Sequence, residues 1–178
     1  YNKLKKFKKE FNSEITTNYL DVINSKVNII FICTTHDLLS KIAIKSLEKQ
    51  KHVLIEKPGT INSKDLNKIY KLSNKYKLKV KIGFNHRFHP GIIKAKSLIK
   101  NNNLGKLMFI KGSYGHGGRK NYEKEWRFKI SKSGGGELID QGSHLIDLAV
   151  YFLGNLNVEY AFLKDYFWKK SIEDNVFI

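Results

Sequence analysis

One cysteine, one methionine, two prolines and three arginines among 178 residues are the scarcities that narrow what this chain can be. The lone Cys33 lies in an apolar stretch, so neither a disulfide framework nor a cysteine-based zinc site can be built. A reducing, cytoplasmic setting is the expectation. No apolar run approaches the roughly 20 residues that a bilayer span requires, and the lysine-rich start lacks the hydrophobic stretch of a secretory signal. No membrane partner is expected. The chain opens on Tyr1 and stops at Asp174-Asn175-Val176-Phe177-Ile178 as a strand begins, so it is expected to be a fragment.

Acidic residues are sparse too, 16 against 33 Lys and Arg, which leaves a formal charge of +17 and raises the question of nucleic acid. The excess is uneven: residues 1–100 hold 22 basic against 7 acidic side chains, and residues 101–178 hold 11 against 9. Only Arg87, Arg119 and Arg127 are arginines, although arginine's planar fork is the better group for reading bases. The lysines are spread around helix surfaces, as in Lys41, Lys45 and Lys49 or Lys64, Lys68, Lys71 and Lys75. A solvated lysine-rich exterior is the preferred reading, without a specific nucleic-acid partner.

What the chain does have is alternation. Leu4, Phe7 and Phe11, then Tyr19, Leu20 and Ile23, mark two short helices ahead of an apolar strand from Val27 to Cys33. That strand is apolar throughout, as in parallel sheets covered on both faces. Leu38, Leu39, Ile42, Ala43 and Leu47 mark a helix, and His52 to Glu56 the next strand. Ser63 is the expected N-cap of a helix whose inner face carries Leu66, Ile69, Tyr70 and Tyr76, and Lys79 to Phe84 the third strand. This βαβαβ order implies right-handed parallel crossovers. A further helix opens at Pro90 and ends near Asn101 to Asn103, where the pattern changes. A strand over Leu107 to Tyr114, a loop over 115–133, a helix running to Gly154 and a strand over Val158 to Leu163 follow. The predicted fold is α/β. A partial doubly wound parallel sheet occupies residues 1–103, and an α+β unit with a mainly antiparallel sheet begins at 104.

The three parallel strands end in polar clusters: Thr34-Thr35-His36-Asp37, Glu56-Lys57-Pro58 and Asn85-His86-Arg87. Loops at the carboxyl ends of parallel strands converge on a ligand crevice, so three such clusters together predict a lined site. Turn chemistry accounts for any one of them alone. Farther on, Gly134-Gly135-Gly136 opens a helix that carries Asp140, His144 and Asp147, spaced by four and three. On a regular helix these side chains share one face over about two turns, with the imidazole as proton acceptor. Two carboxylates and one histidine on one helix make an incomplete ligand set, so no metal is assigned.

At Glu56-Lys57-Pro58 and Gly134-Gly135-Gly136 through Asp140, His144 and Asp147, the chain resembles the Gfo/Idh/MocA family of nicotinamide-dependent oxidoreductases. Ile32-Cys33-Thr34-Thr35-His36 resembles that family's strand-end motif, with Thr35 where a proline is usual. Asn85-His86-Arg87-Phe88-His89-Pro90 resembles the exit from its nucleotide domain. The resemblance implies a Rossmann domain lacking its opening glycine-rich loop, hence its main pyrophosphate site, and a fragment inactive by itself. It implies NAD or NADP as cofactor, and Lys57, Asp140 and His144 as the catalytic set, with Asp140 orienting His144. It places Thr34, Thr35, His36, Glu56, Asn85, Arg87, Trp126 and Arg127 along the cofactor. Lys57, Tyr114, Asp140 and His144 are placed against substrate, with His116 and Tyr122 near the same region. The implied reaction is hydride transfer between NAD(P) and a secondary alcohol or ketone of a sugar, nucleotide sugar or cyclitol, by a homo-oligomer, dimer or tetramer. A noncatalytic module of the same fold and a basic nucleic-acid-binding protein are the competing readings.

Overall fold

The computed structural model describes residues 2–178, with side chains from Leu4 onward. Helices α1 (Asn2–Phe11) and α2 (Tyr19–Asn24) precede strand β1 (Ile29–Ile32). Asn18 caps α2, its side-chain oxygen accepting the Leu20 amide. Helix α3 (His36–Glu48), strand β2 (His52–Ile55), helix α4 (Ser63–Tyr76) and strand β3 (Val80–Ile82) complete the predicted alternation. The three strands lie side by side in the order β1-β2-β3, all parallel, with Ile30 opposite Val53 and Val53 opposite Val80.

The core is one-sided. Ile30, Ile32, Val53 and Ile55 point beneath Leu39, Ile42, Ala43 and Leu47 of α3 and Ile69 of α4. Successive strand residues face opposite sides of a sheet, so Ile29 and Phe31 point the other way. Phe31 is 68% exposed. The expectation of a strand covered on both faces is therefore corrected: among the described residues β1 alternates between exposed and buried, because α3 and α4 pack on the same face. The two helices are pinned by Ser40, whose hydroxyl donates to Asp65 at 2.6 Å. The N-cap of α4 is Asn62 rather than Ser63, its side chain accepting the Asp65 amide at 2.8 Å.

A 3₁₀ turn over Asn85–Phe88 leads into α5 (Pro90–Lys100), where His89 caps the helix ahead of Pro90. The segment predicted as a strand over Leu107 to Tyr114 is not one. It finds no ladder partner among the described residues, and Met108 is 85% exposed. Two 3₁₀ turns (Tyr122–Lys124 and Trp126–Phe128) and short helix α6 (Ile130–Ser133) fill the predicted loop. A π-helical turn over Leu138–Gly142 runs directly into α7 (Ser143–Leu153), ended by Gly154 at φ 89°. Strands β4 (Phe162–Lys164) and β5 (Asn175–Phe177) pair antiparallel, β4 starting four residues later than expected. The result is an α/β fold with a parallel three-stranded sheet and a separate antiparallel pair.

Candidate active site

Asp140, His144 and Asp147 are the buried residues of the segment from 138 to 153, while its apolar Ile146, Val150 and Leu153 are exposed. The polar face of this segment is thus its packing face. It meets the carboxyl ends of the parallel strands, whose clusters supply partners for each buried charge. Burying a charge without a partner costs several kcal/mol, so these contacts fix how the two halves fit.

Lys57 lies two residues beyond the end of β2 and reaches across 83 residues of sequence. Its Nζ lies 2.5 Å from both the carbonyl oxygen and Oδ1 of Asp140. Arg127 donates through Nε to the other carboxylate oxygen at 2.8 Å. Burial alone pushes the Asp140 carboxyl upward, but the hydrogen bond and charge of Lys57, then those of Arg127, outweigh it and hold the acid below its usual range. The charges continue outward in alternation, because Glu125 pairs with Arg127 at 3.0 Å and with Arg119 through two bonds of 2.7 and 2.6 Å.

The expected bond from Asp140 to His144 is not made. Four residues span close to one turn in either an α or a π winding, so the reason lies in the carboxylate of Asp140. Both of its carboxylate oxygens are taken by Lys57 and Arg127. His144 keeps Nδ1 buried with no hydrogen-bond partner. Its ring lies face to face with that of His86, centroids 3.9 Å apart and planes 14° apart, with the Phe84 ring edge-on at 6.1 Å. Burial first, then the charges of His86 and Lys57, hold the imidazole's pKa down to about 4, against the opposite pull of Asp140 and Asp147. The ring is a neutral base at physiological pH.

Asp147 is held by Arg87 in a two-pronged grip, Nε to Oδ2 at 2.8 Å and NH2 to Oδ1 at 2.5 Å. His36 is buried, its Nδ1 2.9 Å from the Ser133 carbonyl oxygen and its ring edge-on to Trp126 at 4.8 Å. A carbonyl only accepts, so Nδ1 carries the proton. Burial holds this histidine too below its ordinary value. His36, Arg87 and Trp126, placed along the cofactor by resemblance, thus join the two halves in this structure, and Arg127 binds Asp140 within the second. Thr34, Glu56 and Asn85 are exposed and Thr35 half-buried at the strand ends. Tyr114, with its ring 5.8 Å from that of His86, stands half-exposed at the mouth. Tyr122 is buried against Phe128 and Trp168, with its hydroxyl donating to Glu137 at 3.2 Å, and His116 approaches the same Glu137 at 3.6 Å. A cavity of about 10 Å³ beside Arg127, Glu137 and Asp140 has room for one water and none for a sugar. His86 was legible only as one member of a strand-end cluster, and its position between Asn85 and Arg87 was the one available signal.

A parallel sheet with polar strand ends, facing a second unit whose buried carboxylate meets a strand-end lysine, has the layout in which open α/β sheets bind ligands. Residues 1–84 match the oxidoreductase family with an NAD-binding Rossmann fold, and residues 92–178 match the Gfo/Idh/MocA C-terminal domain. The chain belongs to the Gfo/Idh/MocA family. It is 26% identical over 161 residues to levoglucosan dehydrogenase of Pseudarthrobacter phenanthrenivorans, covering 89% of this chain and 41% of that protein. It is 31% identical over 147 residues to glucose-6-phosphate 3-dehydrogenase of Bacillus subtilis, covering 82% and 42%. The solved levoglucosan dehydrogenase complex with NADH and levoglucosan superposes with a TM-score of 0.85 at 26% identity, over 93% of this chain and 45% of that one. The chain spans less than half the length of these relatives. Among the described residues no helix is long and apolar enough to cross a membrane.

Proposed function

We propose that the protein is an NAD(P)-dependent dehydrogenase that oxidises a ring secondary alcohol of a sugar or cyclitol, or reduces the matching ketone. The observation that carries this reading is the bond between Lys57 and Asp140 beside a buried imidazole with a bare nitrogen. Unpartnered buried polar atoms are rare in native folds, so an imidazole with a sealed, bondless Nδ1 is not held for a structural hydrogen bond, and its other ring nitrogen is the one available to a reacting hydroxyl. The matched relatives are named for levoglucosan, glucose 6-phosphate and inositol, all six-membered rings that bear secondary hydroxyls.

Thr34, Thr35, Glu56 and Asn85 would hold the cofactor at the strand ends. When bound, a nicotinamide supplies the hydride acceptor. His144, neutral, takes the hydroxyl proton as the C–H hydride leaves, and in the reverse direction the imidazolium returns it. Lys57 donates a hydrogen bond to the same oxygen and stabilises the charge that develops there. Asp140 keeps that ammonium aimed through its carboxylate and carbonyl oxygens. Tyr114 lines the mouth against the ring. His36, Arg87, Trp126 and Arg127 form the wall behind, from which Arg127 fixes Asp140. We place the boundary between the nucleotide and substrate units near residue 103, and extend the reading to a homo-oligomeric enzyme.

The test is absorbance at 340 nm when the full-length protein is supplied with NAD⁺ or NADP⁺ and a panel of pyranoses, sugar phosphates and inositols. Turnover with at least one ring polyol, lost in His144→Gln, is the expected result. Absence of turnover across the panel with both cofactors, by protein shown to bind the cofactor, would leave the noncatalytic module as the better account.

A further inference from the structure

A histidine that works as a base is normally oriented by a hydrogen bond on its second ring nitrogen, usually from a carboxylate or carbonyl. His144 has no such anchor on Nδ1, and Asp140, the nearest acid in sequence, is committed elsewhere. The ring nevertheless sits in one plane, because two other rings pack on it: Phe84 edge-on and His86 in parallel contact at 3.9 Å. His86 is in turn backed by Tyr114. A stack at this distance fixes the tilt of the imidazole as a hydrogen bond would, but does so without consuming a nitrogen.

We propose that His86 is a positioning residue for His144, holding its ring plane by stacking and excluding a second positive charge beside it. The inference rests on the base assignment made above and adds a residue to it. Two imidazolium rings in face-to-face contact repel, so the pair accepts one proton far more readily than two. The charged and titratable groups facing His144 come from every neighbouring element. They are Lys57 after β2, His86 in the 3₁₀ turn, and Asp140 and Asp147 on its own segment, with Arg87 committed to Asp147. Of these, His86 is the one in ring contact.

The design separates the two contributions. His86→Phe keeps an aromatic face and removes the charge, and His86→Ala removes both. The imidazole C–H signals of His144, assigned by their loss in His144→Gln, are followed by NMR from pH 8 to pH 3 in the protein and each variant. We expect the His144 midpoint to rise by about one pH unit in His86→Phe, on the order of tenfold in proton affinity. The acid limb of kcat/KM should move up with it. We expect His86→Ala to lower kcat about tenfold with a smaller change in KM, and His86→Phe to recover most of that loss. If either variant fails to fold, His86→Gln reads the charge term alone. A His144 midpoint unchanged in every folded variant overturns the inference. If His144→Gln retains wild-type turnover while the midpoint still shifts, the base assignment fails and the coupling of the rings stands.

Discussion

Lys57 donates to Asp140 twice, once to the carboxylate and once to the backbone carbonyl of the same residue. That double contact ties the strand end to the π turn and fixes the ammonium by two points, so the lysine is a fixed feature of the cleft. Arg127 completes the grip from the far side.

Removing either end of this pair should have different consequences. Lys57→Met leaves Asp140 with Arg127, and we expect a modest loss of stability but a drop in turnover of about 10²-fold or more. Asp140→Ala leaves two cations facing a hole, and we expect a stability loss of about 3–5 kcal/mol. Urea unfolding and initial rates on the two variants check both outcomes. Similar stability losses in the two would contradict the asymmetry.

Stability should fall on mild acidification because of His144. Its pKa in the folded chain, about 4, lies below the ordinary 6.5, so the unfolded chain binds the proton first as pH falls. The contribution is whole above about pH 6.5 and is lost progressively down to about pH 4, amounting to at most about 3 kcal/mol. His36, also lowered by burial, adds in the same direction. Denaturant unfolding at pH 7, 5.5 and 4.5 should show a smaller decline in His144→Gln than in the unaltered protein.

Gly136 has no room for a side chain. A Cβ there would run into the Glu173 carbonyl and the Ile172 side chain, while the Gly136 amide donates to the Glu173 carboxylate at 2.8 Å. Gly136→Ala is expected to cost roughly 1–3 kcal/mol by overpacking and to loosen the approach to Asp140. Gly115, with nothing near its missing Cβ, serves as the control, and Gly115→Ala should be close to neutral. Thermal melts of the two variants provide the comparison.

The two-pronged grip of Arg87 on Asp147 depends on the shape of the guanidinium. Arg87→Lys preserves the charge but makes at most one of the two bonds, and we expect a loss of about 2 kcal/mol. Equal stability of the lysine variant would show that charge alone suffices there.

Much of this site was legible before the structure. Lys57, at a strand end before Pro58, and Asp140 and His144, after a glycine run, carry signals of spacing and composition that any reader of the chain can find. The partnership between them was not. Four-residue spacing pointed to an Asp140–His144 pair, but Lys57 and Arg127, arriving from other segments, take both oxygens of that carboxylate. The stack of His86 on His144 was hidden for a related reason. Ring contact across 58 positions depends on how two segments dock, and neither segment encodes that docking by itself. The strand expected at Leu107 to Tyr114 failed differently: a suitable side-chain pattern makes a strand only when a neighbour accepts its hydrogen bonds.

The chain's own order of residues determined the alternation of strands and helices, the buried face of α3 and the chemistry available at each strand end. These follow from periodicity and local preference, which act over a few residues. Tertiary structure alone decided which buried charge meets which, and so made Asp140 the partner of Lys57 and left His144 to be held by a ring. Burial strips charges of water and forces each to find a counterpart, and that choice depends on every element that arrives at the same place.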